Sequence, residues 1–205
     1  MSSSQDLLTI GHSTHPIETF IGLLSAYQIA LLIDVRSYPS SRRWPQFNQA
    51  ELQRSLEGVG IAYGWTKTLG GRRSSKRTDS PHDAWENPAF RAYADYTETA
   101  EFAGGLAELM QAAHEARTVI MCSEALWWRC HRRIISDHLT VRGWGVTHVM
   151  PEGNLAMHAL PDFATVDAER IVYDGGQQSL KLKSTIRSYR SDIHLRRRMK
   201  NLKLR

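Results

Sequence analysis

Only two cysteines occur in 205 residues, which excludes a disulfide framework and leaves burial to hold the fold. No run of 18 apolar residues exists, so no stretch reads as a membrane-spanning helix. Residues 1–8 lack the basic region and apolar run of a signal peptide, and a cytoplasmic protein is expected. No internal repeat is present. Lysine and arginine are absent before Arg36, so whatever cationic character the chain has begins there.

What is present is a sequence of ordinary globular composition, 41% hydrophobic and 23% charged, long enough for one self-supporting domain. The formal net charge of +5 is unevenly spread. Residues 36–77 carry nine basic and two acidic side chains, residues 78–180 seven and fifteen, and residues 181–205 ten and one. Two basic segments thus sit on an otherwise acidic chain, and they point to anionic partners, nucleic acid or nucleotide first.

Apolar patterning supplies the fold class. Leu7–Ile10 reads as a buried strand ending at Gly11, and Ile17, Phe20, Ile21 and Leu24 then fall at helical spacing after Pro16. Ala30–Val35 is a second apolar strand interrupted only by Asp34. Asn48 caps a helix through Leu52 and Leu56 to Gly58, and Ile61–Tyr63 is a short third strand. Phe90–Ala116 reads as helix in two pieces around Gly104-Gly105. Thr118–Met121 is a strand, Leu126–Val141 a helix ended by Gly143, and Val146–Met150 the last clear strand. Strands apolar on both faces, alternating with helices, predict an α/β three-layer sandwich with a mostly parallel central sheet over residues 1–180. The polar stretch about 72–88 is expected to be a lid or disordered, and 181–205 a basic C-terminal tail.

Ligands of such sheets bind at the carboxyl ends of the strands, which selects the candidate site. Ser13 and His12 follow the first strand, where a preceding glycine allows close approach to a ligand. Asp34, Arg36 and Arg42 follow the second, and Cys122 and Glu124 the strand at 118–121. Cys130, His131 and Arg132 lie a few residues on, with His158 after the last strand. Arg36, Arg42 and Arg132 are expected to hold phosphate, and His12, Asp34, Glu124 and His131 to do acid–base work. Trp127 and Trp128 are helical neighbours pointing about 100° apart, so one faces the core and Trp128 is assigned to stack in the pocket.

Three chemistries compete for these residues. Cys122, at a strand-to-helix turn near arginines, is the candidate thiolate, with Cys130 read as a buried helical residue beside it. Six residues separate Cys122 from Arg129, one more than a phosphatase-type Cys-x5-Arg loop requires. Asp34 and Glu124 could instead pair as acid and base in cleaving a glycosidic bond. Cys122, Cys130, His131 and His12 could also ligate zinc, but without a CxxC pair no metal and no cofactor are expected.

The motifs also carry a resemblance. Gly11-His12-Ser13, Asp34-Val35-Arg36-Ser37-Tyr38-Pro39 with Ser41-Arg42, Leu69-Gly70-Gly71 and Tyr93-Ala94-Asp95-Tyr96 occur in that order. They are followed by Cys122-Ser123-Glu124 through Cys130-His131-Arg132 and by His158-Ala159-Leu160. This series, from about residue 7 to 175, resembles the family called domain of unknown function 488. The resemblance implies an α/β domain with these motifs gathered into one site, and no established reaction comes with it. The expectation is an enzyme, a hydrolase or transferase, acting on a phosphate-bearing nucleotide or nucleic acid. The alternative is a non-catalytic nucleic-acid binder that uses the basic tail and an arginine/tryptophan surface.

Overall fold

The computed structural model describes residues 5–74 and 77–175, so the basic tail expected at 181–205 lies outside the described residues. Its chain begins with β1 (Asp6–Gly11), α1 (Ile17–Ala26), β2 (Leu31–Asp34), α2 (Gln49–Glu57) and β3 (Ala62–Trp65). It continues through α3 (Pro88–Tyr96), α4 (Ala100–Glu115), β4 (Thr118–Cys122), α5 (Arg132–Thr140) and β5 (Gly145–Val149). Three short strands follow, β6 (Leu155–Met157), β7 (Ala164–Asp167) and β8 (Arg170–Tyr173). The main sheet has the order β3-β2-β4-β1-β5-β6, parallel except for β6, and β7 and β8 form a separate hairpin. The fold is therefore an α/β sandwich with a mostly parallel central sheet. Among the described residues no helix is long and apolar enough to cross a membrane.

The period-2 alternation of the strands sorts their side chains into two cores. Leu8, Ile10, Leu32, Val119 and Met121 face α1 and α2 with Phe20, Leu24, Leu52 and Leu56. Leu7, Ile33, Val35, Ile120 and Cys122 face the opposite layer with Tyr93, Phe102, Leu106, Ile134 and Leu139. Burial of each such large side chain stabilises the fold by about 1.5–3 kcal/mol.

Three expected elements are redrawn. The helix predicted over Leu126–Val141 is interrupted. Trp127–Arg129 is a single 3-10 turn, Cys130 is extended (φ −128°, ψ 148°), and α5 starts only at Arg132. Cys130 is thus not a helical residue but the link immediately before a helix. The helical stretch from residue 90 divides at Thr97–Thr99 rather than at Gly104-Gly105, because Thr99 accepts the Phe102 N–H and starts a new helix. Gly105 is instead an interior helical residue, where a Cβ would stand 2.3 Å from Thr68 Oγ1. Finally, Val146–Met150 is not the last strand, since β6, β7 and β8 follow; at three or four residues each they lack a readable period.

The polar segment 70–87 is fastened at its far end. His82 and Trp85 are buried, the Tyr173 carbonyl accepts the Ala84 N–H, and Trp85 stacks on Phe90.

Candidate active site

The sheet order reverses beside β1 and β4, since the chain leaves β1 toward β2 on one side and leaves β4 toward β5 on the other. A cleft of about 980 Å³ opens there at the carboxyl ends of the strands. His12, Arg36, Cys122, Glu124, Cys130 and His131 all line it. Parallel pairing runs past the ends of the strands, with His12 N–H donating to the Cys122 carbonyl and Ser13 N–H to the Ser123 carbonyl. Main chain meets main chain so closely here that a Cβ on Gly11 would lie 1.9 Å from the Glu124 carbonyl oxygen. Only glycine fits.

On one side of the sheet the cleft floor is a sulfur–imidazole cluster. His131 Nε2 lies 3.0 Å from the Val35 carbonyl oxygen, which can only accept, so Nε2 carries a proton. Nδ1 then presents its lone pair to Cys130 Sγ at 3.5 Å and Cys122 Sγ at 3.9 Å. Arg132 Nε donates to Cys130 Sγ at 3.4 Å, and its NH2 to the Glu124 carbonyl at 2.5 Å. These surroundings divide the two thiols. The hydrogen bond to Cys130, and then burial, push the Cys122 thiol up. Burial also pushes Cys130 up, but the Cys122 thiol and the Arg132 guanidinium and backbone N–H offset it and bring Cys130 below its ordinary value. A position just before α5 adds the helix's own field. Of the two thiols, Cys130 is therefore the one whose surroundings favour ionisation, and Cys122 the one whose surroundings oppose it.

On the other side, Asp34 and Arg36 satisfy each other. Arg36 Nε and NH2 donate to the Asp34 carboxylate at 2.9 and 2.6 Å, Tyr63 OH adds a third bond, and Arg36 NH2 reaches the Phe47 carbonyl. Arg36 NH1 donates to His12 Nε2 at 3.3 Å, while His12 Nδ1–H donates to the Ser13 carbonyl. Burial and the Arg36 charge lower His12 to about 4, so at neutral pH it is an uncharged ring whose lone pair is taken, stacked on Phe47. Tyr63 is raised, chiefly by burial and by the Asp34 charge.

Seven of the twelve expected residues thus share the cleft: His12, Ser13, Arg36, Cys122, Glu124, Cys130 and His131. Asp34 is buried behind it and faces the α1/α2 layer, so it does not meet Glu124 across a substrate. Arg42 is exposed and outside the lining. Arg132 lies beneath the cleft, its guanidinium fully engaged. Trp128 is 42% exposed but away from the lining, and its neighbour Trp127 stacks instead on His148 at 4.1 Å. The cations that do reach the cleft besides Arg36 are Arg72 and Arg129, with Tyr38, Trp44 and Phe90 as aromatic walls. Arg72 adjoins the Leu69-Gly70-Gly71 motif and Arg129 precedes Cys130, so the signal for both was their neighbours.

His158 belongs to a buried polar chain that the sequence did not reveal. Tyr173 OH and His158 Nε2 both bond Asp137, His158 Nδ1 meets His148 Nε2 at 3.0 Å, and His148 Nδ1 meets Thr9 Oγ1 at 2.7 Å. Thr9 accepts in turn from Arg132 NH1 at 3.4 Å. Burial first, then the neighbouring His158 and Arg132, lower His148 to about 2. The chain thereby ties Arg132, and through it Cys130, to β1, β5, β8 and the middle of α5 on the same side of the sheet.

The motif series now meets its family. The family described as domain of unknown function DUF488 matches residues 16–139, more than half of the chain. The chain belongs to the DUF488 family. No curated protein and no solved structure matches it. Within the DUF488 match fall Asp34, Arg36, the two cysteines and His131, whereas His12 precedes it and His148 and His158 follow it.

Proposed function

We propose that this protein is a thiol-dependent transferase or hydrolase acting on a phosphate-bearing substrate of nucleotide or nucleic-acid type. The observation that carries the reading is the alignment of the Val35 carbonyl, His131 and Cys130 at the floor of the cleft. The carbonyl fixes the ring and its tautomer, and Nδ1 is left to take the sulfur's proton, which is the activation a thiol nucleophile needs. The resulting Cys130 thiolate forms the bond to the electrophilic atom of the substrate. As the bond to the leaving group breaks, Nδ1–H returns the proton to that group. Water or an acceptor then attacks the thio-intermediate, His131 takes the attacking group's proton, and the Cys130 sulfur departs as thiolate.

Arg36, Arg72 and Arg129 on the rim support an anionic substrate, and Tyr38, Trp44 and Phe90 offer faces for a base to stack on. Both cysteines are free, and we take the protein to act in the cytoplasm, where thiols stay reduced. Glycosidic cleavage by Asp34 and Glu124 is the weaker reading, because Asp34 is fully bonded and absent from the cleft. The test is turnover of modified nucleosides, nucleotides and short DNA and RNA by the protein and by Cys130→Ser and Glu124→Gln. Activity lost in Cys130→Ser and kept in Glu124→Gln is the expected result. Loss only in the glutamate variant overturns the thiol mechanism.

A further inference from the structure

We infer that Cys122, Cys130 and His131 form a binding site for one thiophilic divalent cation of the zinc type, which competes with substrate for the same sulfur.

The first ground is geometry. A tetrahedral zinc ion with bonds of about 2.3 Å to sulfur and about 2.0 Å to nitrogen holds its sulfur and nitrogen ligands about 3.5 Å apart and its two sulfurs about 3.8 Å apart. Here Nδ1 lies 3.5 Å from Cys130 Sγ and 3.9 Å from Cys122 Sγ, and all three atoms fall within 4.8 Å of one another. Shifts of a few tenths of an ångström at Nδ1 and modest rotation of one cysteine would complete three corners of the tetrahedron.

The second ground is the tautomer. A metal-binding imidazole needs a free lone pair on one nitrogen and, on the other, a proton donated to a carbonyl or carboxylate that fixes the ring. His131 has both, since Nε2–H is spent on the Val35 carbonyl and Nδ1 is turned toward the sulfurs. Arg132 Nε–H on Cys130 is the kind of hydrogen bond that supports a ligating thiolate.

The third ground is space. A Cβ on Gly71 would stand 2.3 Å from His131 Nδ1, so any other residue at that position would crowd the ligating atom. The Leu69-Gly70-Gly71 motif leaves that position open. All three ligands line the cleft, so the fourth corner opens on the cleft and is available to water or substrate.

Binding of the cation stands on this cluster alone. Inhibition, by contrast, rests on the thiol chemistry proposed above, because an ion that occupies Nδ1 and the Cys130 sulfur removes both base and nucleophile. The experiment titrates the metal-free full chain with Co2+ and then with Zn2+, and in parallel follows iodoacetamide alkylation of Cys130 by peptide mass spectrometry. One equivalent of Co2+ should give sulfur-to-cobalt charge-transfer absorption and the visible spectrum of tetrahedral cobalt. Stoichiometric zinc should abolish that absorption and slow alkylation at least tenfold. Cys122→Ser should weaken binding by more than about 100-fold, exceeding the roughly 10–100-fold effect of losing only a supporting hydrogen bond. Gly71→Val keeps every ligand atom and should weaken binding as well, so the proposal does not depend on one variant folding. Cobalt that binds without charge transfer, or alkylation indifferent to zinc, overturns the site. Charge transfer and protection without turnover of any nucleotide would uphold the metal site and overturn the thiol enzyme alone.

Discussion

The two sides of the sheet end in unlike ways at one cleft. Toward α1 and α2, Asp34, Arg36, Tyr63 and His12 bond one another so completely that His12 has no lone pair left to work with. Toward α4 and α5, the cysteine–histidine cluster is held just as firmly from behind, by the Val35 carbonyl and by Arg132, yet it leaves Nδ1 and two sulfurs facing the cleft. A polar group that is closed on itself supports structure. One that is anchored on one side and open on the other is available for chemistry. Position at a strand end is common to both, so position alone does not separate them.

The sharpest test of this contrast removes the proposed nucleophile. Cys130→Ser should abolish turnover and Cys130 alkylation while changing unfolding free energy in denaturant by about 1 kcal/mol or less. Next in size is Asp34→Ala, which leaves the buried Arg36 guanidinium without its counter-ion and should cost about 3–5 kcal/mol in the same unfolding experiment. The folded fraction should still alkylate at Cys130. Comparable losses of stability in the two variants would break the distinction between a closed group and an open one.

Acid should act on the buried histidines. Burial, with nearby arginine or histidine charge, lowers His12 to about 4, His138 to about 3 and His148 to about 2, from an ordinary 6.5. Each ring is neutral when folded and takes up a proton when unfolded, so stability is full above pH 6.5 and is lost as pH falls toward the folded values. Each contributes about 1.4 kcal/mol per pH unit to that loss. Denaturant melts between pH 7.5 and 5 measure it, and an unchanged midpoint would contradict the burial of these rings. The smallest effect belongs to the rim. Arg129→Ala should raise KM for a phosphate-bearing substrate by a few-fold, about 1 kcal/mol, and the difference should shrink as salt is added.

Much of this was legible in the residues, for identifiable reasons. β1, β2, β4 and β5 are apolar on both faces, and a strand buried on both faces implies helices above and below it. The strand-end rule then found seven cleft residues without any contact information. Less legible was the stretch 126–141, where helical spacing continued through a 3-10 turn and hid that Cys130 stands free of the helix. His148 was hidden for a different reason: it lies inside an apolar strand, and its partners Thr9 and His158 are distant or on another element.

The sequence by itself determined the layer architecture, the family and the edge of the sheet where the polar motifs collect, because these follow from periodicity and from residue order. Tertiary structure alone decided that the surroundings of Cys130 favour ionisation more than those of Cys122, that Asp34 is spent on Arg36, and that His131 offers Nδ1. Ionisation and tautomer are set by partners within about 4 Å, where Coulomb and hydrogen-bond energies change steeply with distance. Those partners, Val35 with His131 and Thr9 with Arg132, are 96 and 123 residues apart along the chain.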